Sequence, residues 1–148
     1  MYCTIRRLTA GNIAEFIGVL RLFDEVFEMM DFKLPEEKYL GGLLDREDFI
    51  VFAAIHEDSV IGGLTAHVLP SYYFQSSEVY IYDLAVSSAF QRQGIGRQLM
   101  GNLADFCKIR GYREIFVQAD AVDKHALEFY HSTGGRPEQV VHFNYPLS

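Results

Sequence analysis

The sequence predicts an α/β protein with a central, mostly antiparallel mixed sheet flanked by helices. Three features of its 148 residues predict this class. Apolar residues near the N-terminus recur at helical spacing, three apolar segments joined by short turns follow as in a meander, and helix and strand patterns then alternate. The predicted order is β-α-α-β-β-β-α-β-α-β. Because this length fits one domain, we expect a single domain over residues 1–148.

The first elements are predicted to be one strand and two helices. YCTIRRL (2–8) alternates apolar and polar residues, as a half-buried strand does. NIAEFIGVLRLFDEVF (12–27) places its apolar residues three and four positions apart, which is typical of an amphipathic helix. PEEKYLGGLL (35–44) opens with proline and two acids, a composition common in the first turn of a helix.

The remaining elements follow from apolar runs separated by turn residues. The meander strands are DFIVFAAIHE (48–57), VIGGLTAHVLP (60–70) and EVYIYDLAV (78–86). The later elements are the helix GIGRQLMGNLADFCKIRG (94–111), the strand YREIFVQAD (112–120), the helix DKHALEFYHSTGG (123–135) and the closing strand QVVHFNYPL (139–147).

Charge and composition narrow the class of partner. The formal net charge is −7, which argues against nucleic acid as the main partner because phosphate binding needs a basic surface. The acidity suits a cationic small molecule, although solubility alone also explains it. No apolar run is long enough to span a membrane, and no signal peptide is recognisable. With only two dispersed cysteines, we expect a cytoplasmic protein without disulfides.

The phrase QRQGIGR (91–97) lies between a predicted strand and a predicted helix. Backbone N–H groups at a helix N-terminus bind anions, and glycine lets a phosphate approach closely. Arg92 and Arg97 add positive charge. A diphosphate site and an ordinary turn with solvated arginines are both compatible with the phrase, since the lysine of a P-loop is missing.

The match of QRQGIG to Q/R-x-x-G-x-G/A after the strand DLAV resembles the coenzyme A loop of the GCN5-related N-acetyltransferases, abbreviated GNAT. The resemblance implies their fold and acetyl-CoA as co-substrate. It implies that backbone groups at Leu84, Ala85 and Val86 contact the pantetheine and thioester. The implied diphosphate contacts are Gln91, Arg92, Gln93, Gly94, Ile95, Gly96 and Arg97.

The phrase ALEFYHSTGG (126–135) resembles the superfamily's helix with a tyrosine before a glycine turn. The resemblance implies that Tyr130 is the general acid that protonates the departing thiolate, a role that needs a hydroxyl within hydrogen-bond reach of the sulfur. The alternative is a core tyrosine whose hydroxyl is bonded to the backbone. This chain has two glycines and an arginine where a single glycine and phenylalanine are common.

YIYDLAV together with VQAD, KYLGGLL and VVHF is similar to the aminoglycoside 3-N-acetyltransferases. This resemblance implies acetyl transfer to the 3-amino group of gentamicin-type antibiotics, and hence resistance. The alternatives are another cationic amine, such as a polyamine, a peptide N-terminus or a lysine, and a CoA-binding module without turnover.

Carboxylates are the groups expected to bind a cationic acceptor, and the candidates are Glu78, Asp83, Asp120 and Asp123. Strand alternation predicts that Asp83 points away from the face of Tyr82, where it either binds substrate or makes an internal hydrogen bond. Asp120 either removes the proton of the incoming amine, directly or through water, or caps the next helix.

Two further expectations concern metals and assembly. The five histidines are dispersed and form no ligand pair at helical spacing, so we expect no metal site. A homodimer is possible, through the aromatic loop at residues 72–74 or the C-terminal strand.

Overall fold

The computed structural model describes residues 2–148, which form two compact units. The first unit runs through Gln118 and the second from Ala119 to Ser148. The elements of the first unit are β1 (Thr4–Arg7), α1 (Ile13–Val26), α2 (Glu37–Leu44), β2 (Phe49–His56), β3 (Ser59–Pro70), β4 (Ser77–Val86), α3 (Ile95–Ile109) and β5 (Glu114–Val117). The second unit contains α4 (Lys124–Ser132).

The sheet has five strands in the order β1-β2-β3-β4-β5. Neighbours from β1 to β4 are antiparallel, and β5 alone runs parallel to its neighbour β4. The predicted mixed, mostly antiparallel sheet with helices is thereby confirmed. The strand predicted at 112–120 is shorter than expected, because β5 pairs with β4 only over Glu78–Ile81.

Each face of the sheet has its own apolar core. Helix α3 packs through Ile95, Leu99 and Leu103 on one face, and α1 and α2 pack on the other, where Phe16 and Leu40 are almost fully buried. Burying both faces explains why β2 reads as a nearly continuous apolar run.

Two adjacent glycines of β3 allow both layers of helix to approach the sheet closely. A Cβ on Gly62 would lie 3.1 Å from Ile95 of α3, and a Cβ on Gly63 would lie 2.7 Å from Val19 of α1. Real Cβ atoms are essentially never found within 3 Å of a non-bonded heavy atom. Helix α1 can therefore lie this close to the sheet only because residue 63 is a glycine.

The prediction of a closing strand at 139–147 is wrong. Residues 135–148 form neither strand nor helix, and none of them has a ladder partner in the described part of the chain. Alternating apolar residues favour a strand, but a strand is stable only when another strand accepts its backbone hydrogen bonds. The apolar side chains therefore remain exposed, at 75% for Val141, 74% for Phe143, 83% for Tyr145 and 98% for Leu147.

Candidate active site

A β-bulge in β4 decides which way the central acidic residue points. In the β3–β4 ladder Thr65 pairs with Asp83 and Ala66 pairs with Ile81, so Tyr82 is an extra residue without a partner. Ile81 belongs to the core beneath α3, whereas Ala85 belongs to the core beneath α1 and α2. Without the extra residue, strict alternation from Ile81 would turn Asp83 into the α3 core.

The prediction that Asp83 and Tyr82 face opposite sides is therefore wrong. Both residues line one cavity on the face covered by α1 and α2, because the bulge shifts the alternation by one position. A bulge of this kind has no obvious signature in the phrase YIYDLAV, which reads as a regular strand.

The cavity has a volume of about 200 Å³ and mostly apolar walls. Helices α1 and α2 supply residues such as Phe16, Phe23 and Leu40, and the sheet supplies Phe49 and Asp83. The remaining lining residues are Leu20, Phe32, Pro35, Tyr39, Leu43, Thr65, His67 and Tyr82. Tyr39, Thr65 and His67 come from separate elements, so no local sequence pattern indicates that they line one cavity.

Asp83 is half-buried in this cavity. Burial raises the pKa of Asp83 to about 6, well above its ordinary value, since the charged carboxylate is poorly solvated among apolar side chains. A carboxyl group with a raised pKa in a cavity is typical of a functional site.

The glycine phrase forms a sharply curved loop that leads into α3. Gly94 adopts a left-handed conformation with φ of +80° as the N-cap of α3, and Arg92 is also left-handed, with φ of +62°. The first-turn N–H groups of this 15-residue helix have no acceptor within the helix, which leaves them available for an anion. The loop residues Gln91, Arg92, Gln93 and Gly94 and the first-turn Arg97 are exposed. This arrangement fits a diphosphate.

The loop is fixed to the end of β4 and to the core. The side-chain amide of Gln91 donates a hydrogen bond to the carbonyl of Val86, at 3.2 Å. The backbone N–H of Ser87 donates to the carbonyl of Ile61, at 2.8 Å. Ile95 and Gly96 are buried and anchor the first turn of α3. Leu84, Ala85 and Val86 follow Asp83 directly in the chain, and residues 87–90 separate them from the loop.

Glu78 lies near the start of β4, away from the cavity. It pairs with Leu69 on one side and with Glu114 on the other. It is not among the residues that line the cavity with Asp83. The structure therefore separates these two of the four predicted acceptor carboxylates.

The second unit carries the other predicted residues. Asp123 is the N-cap of α4, since its carboxylate accepts a hydrogen bond from the N–H of Ala126 at 3.1 Å. The suggestion that Asp120 caps this helix is wrong, because Asp123 makes that contact. The carbonyl of Asp120 instead accepts the N–H of Asp123, at 3.0 Å.

Tyr130 lies in the last turns of α4. Its ring meets that of Phe129 edge to face at 5.2 Å, and its carbonyl accepts the N–H of Gly135 at 2.8 Å. A Cβ on Gly135 would lie 2.9 Å from that carbonyl oxygen, so the second glycine is required for the tight turn. The glycine pair that departs from the usual pattern thus has a local steric reason.

Cys107 is buried on α3, as its position on the apolar face predicted. Burial raises the pKa of its thiol to about 11, so the thiolate needed for an acyl-cysteine intermediate is disfavoured. Among residues 2–148 no cluster of three or more potential metal ligands is present. Within the same residues, no helix is both long and apolar enough to cross a membrane.

Comparison with known proteins identifies the family. Residues 16–134 match the family described as Acetyltransferase (GNAT) family. The chain belongs to the GNAT family of acetyltransferases. This confirms the enzyme class that the glycine phrase indicated, and the family's co-substrate is acetyl-CoA.

Solved structures with the same fold include proteins described as aminoglycoside acetyltransferases. One is the aminoglycoside acetyltransferase meta-AAC0020 from an uncultured soil metagenomic sample, solved in complex with trehalose. It is 46% identical to this chain, the alignment covers 99% of this chain and 97% of that one, and the TM-score is 0.97. The same protein was solved with sisomicin. Another is the aminoglycoside acetyltransferase HMB0005, also from a soil metagenomic sample, at 35% identity, full coverage of both chains and a TM-score of 0.95.

Curated relatives are more distant. The [Ribosomal protein bS18]-alanine N-acetyltransferase of Escherichia coli K12 is 30% identical over 71 residues, which is 48% of each chain. The match thus spans about half the length of these curated relatives.

Proposed function

We propose that this GNAT enzyme transfers the acetyl group of acetyl-CoA to an amine of an aminoglycoside, at the 3-amino group of gentamicin-type compounds. The observation that carries the proposal is the near-complete superposition on aminoglycoside acetyltransferases at 35–46% identity, one of them solved with sisomicin. Resistance by acetylation in the cytoplasm is the corresponding cellular role. The family match crosses both units, which supports the expectation of one catalytic domain.

The proposed reaction is direct transfer between two bound substrates. The loop 91–97 binds the diphosphate of acetyl-CoA through backbone N–H groups and the two arginines. Backbone groups at Leu84, Ala85 and Val86 hold the pantetheine and polarise the thioester carbonyl. Most of the rate comes from aligning the amine with the thioester.

The proposed proton transfers involve one residue that the resemblance implies and one that its position at the end of a predicted strand suggests. Tyr130 protonates the leaving thiolate, and Asp120, directly or through a water molecule, is the sequence-based candidate for the base. Glu78, Asp83 and Asp123 are the other proposed contacts with the acceptor's ammonium groups. The capping bond of Asp123 uses one carboxylate oxygen, so the other is the one proposed for an acceptor.

A second candidate function is acetylation of a peptide N-terminus. It is favoured by the 30% identity to the bS18-alanine N-acetyltransferases over about half the chain. The aminoglycoside proposal has the greater support, because its relatives are more similar and match the whole chain.

Thiol release from acetyl-CoA tests the proposal. The acceptor panel is gentamicin, kanamycin, spermidine, a lysine peptide and a peptide with N-terminal alanine. Gentamicin whose 3-amino group is already acetylated is the matched control. Fast turnover of gentamicin, loss of turnover with the control, and acetyl on the 3-amine by NMR are expected. Turnover of a peptide or polyamine alone would refute the aminoglycoside assignment while retaining the acetyltransferase.

A further inference from the structure

A single turn of 3₁₀-helix, Ser88–Phe90, joins the end of β4 to the loop at residues 91–97. The turn is closed by the backbone N–H of Phe90, which donates to the carbonyl of Ser87 at 2.9 Å. The ring of Phe90 is partly buried against the core beneath α3. Because Phe90 directly precedes Gln91, a contact that holds this ring also restricts the first residue of the loop.

His56, the last residue of β2, contacts the ring of Phe90 from the sheet. The two rings meet edge to face, with their centroids 5.6 Å apart and their planes at 61°. A two-residue turn follows His56, in which Glu57 and Asp58 are both left-handed, with φ of +46° and +63°. His56 pairs with Ser59 across this turn. Turns of this kind are tight and match the twist of the strands, so the backbone at His56 is well fixed.

A short hydrogen bond fixes the orientation of the His56 ring. Its Nδ1 lies 2.7 Å from the carbonyl oxygen of Tyr2. Because a carbonyl oxygen only accepts, Nδ1 carries the proton and donates it to this bond. The other ring nitrogen, Nε2, is 3.9 Å from a carboxylate oxygen of Glu57, which is beyond hydrogen-bond distance. The imidazole is therefore held by Tyr2 while it packs against Phe90.

The same N-terminal residues also reach the other end of the loop. The thiol of Cys3 lies 3.8 Å from Oε1 of Gln98, to which it donates a weak hydrogen bond. Gln98 belongs to the first turn of α3, since its backbone N–H donates to the carbonyl of Gly94 at 3.0 Å. Residues 2 and 3 thus contact, directly or through His56, both residues that flank the loop.

The loop needs such support because its backbone conformation is unfavourable on its own. Arg92, which is not a glycine, is left-handed, with φ of +62°. Residues of this kind keep such conformations only where the surrounding contacts hold them. If the loop were mobile, acetyl-CoA would have to order it on binding, and the lost conformational freedom would weaken the affinity.

We propose that His56 is a positioning residue for acetyl-CoA: through the ring of Phe90 it holds residues 91–97 in their curved conformation before the co-substrate binds. The inference rests on the proposed function, specifically on the binding of the diphosphate by this loop. His56 contacts neither substrate in this proposal. It contributes to the affinity for acetyl-CoA rather than to the chemical step.

The first test replaces His56 with alanine. We expect the KM for acetyl-CoA to rise about threefold to tenfold in His56→Ala, because the freed loop must be ordered on binding. The kcat and the KM for gentamicin should stay within about twofold of the parent values. The matched control is Tyr72→Ala, which breaks a ring pair at the other end of β4 and should keep the parent's KM for acetyl-CoA. An unchanged KM for acetyl-CoA in His56→Ala would overturn the proposal.

Two further variants test the path through Phe90. His56→Phe keeps a ring against Phe90 and should stay closer to the parent than His56→Ala does. Phe90→Leu breaks the same contact from the other side and should raise the KM for acetyl-CoA even if His56→Ala folds poorly. When both residues are replaced, His56→Ala should add little, because the contact is already lost. Additive losses, or a His56→Phe variant as impaired as His56→Ala, would overturn the assignment.

NMR relaxation of backbone ¹⁵N measures the order of the loop without any turnover. In the ligand-free proteins, the order parameters of residues 91–97 should be lower in His56→Ala than in the parent, and saturating CoA should make them similar. Equal order parameters without ligand would overturn the proposal. A parent protein that binds CoA but acetylates no aminoglycoside would instead refute the proposed acceptor, and the order of the loop would still decide the role of His56.

Discussion

Asp83 lies opposite Thr65 in the β3–β4 ladder, although the next residue of β3, Ala66, lies opposite Ile81. The single unpaired residue between them, Tyr82, moves a carboxyl group from the α3 core to a cavity on the other face. Local backbone geometry thereby determines on which face of the sheet the acidic residue lies.

The raised pKa of Asp83 predicts a pH-dependent stability difference. The folded state binds the proton more tightly than the unfolded state, so the carboxyl lowers stability as pH rises from about 4 through about 6, and the penalty is complete above that range. Asp83→Asn should therefore raise Tm more at pH 8 than at pH 4.5. Thermal melts at both pH values measure this, and an equal change at both would contradict it.

The left-handed conformation of Gly94 predicts a specific defect in co-substrate binding. Alanine at φ of +80° costs about 1–2 kcal/mol, so the loop should shift. In Gly94→Ala we expect KM for acetyl-CoA to rise about tenfold, with little change in KM for the acceptor. Gly101→Ala, at an open position within α3, is the control. Steady-state kinetics with each substrate varied distinguishes this from a general loss of fold.

The close packing of α1 against Gly63 predicts that a side chain at this position lowers the stability of the protein. Its Cβ would lie 2.7 Å from Val19, so Gly63→Ala should displace α1 and cost about 1–3 kcal/mol. Gly101→Ala should instead be neutral or gain about 0.5–1 kcal/mol, since glycine disfavours a helix interior. Urea unfolding measures both, and a stable Gly63→Ala variant would show that α1 packs less tightly than described.

If Tyr130 is the general acid, Tyr130→Phe should lower kcat by about 10²-fold and leave acetyl-CoA affinity nearly unchanged. Tyr2→Phe removes a hydroxyl from an exposed side chain and should have no effect. Single-turnover kinetics and isothermal titration with CoA separate the two quantities. Full activity in Tyr130→Phe would assign the hydroxyl a structural role.

The exposed C-terminal residues predict self-association. The side chains of His142 and Asn144 are hydrogen-bonded to each other at 2.9 Å, and the apolar side chains of Val141, Phe143, Tyr145 and Leu147 are exposed. Exposed apolar side chains that pair with a second copy of the chain become buried, so we expect a dimer. Light scattering should show a dimer that Phe143→Asp converts to a monomer and Asn144→Asp preserves. A monomeric parent protein would contradict this expectation.

The sequence by itself determined the order of elements through β5 and α4, the acetyltransferase family and the loop at 91–97. These follow from local signals: apolar periodicity, turn residues and a glycine phrase whose spacing reflects backbone needs. Only the tertiary structure decided that Asp83 shares a cavity with Tyr82 and that Asp123 rather than Asp120 caps α4. It also decided that QVVHFNYPL is unpaired. Each of these three features depends on which residues come into contact across the fold. The alternation of apolar and polar residues along a single strand carries no information about a bulge or about the absence of a neighbouring strand.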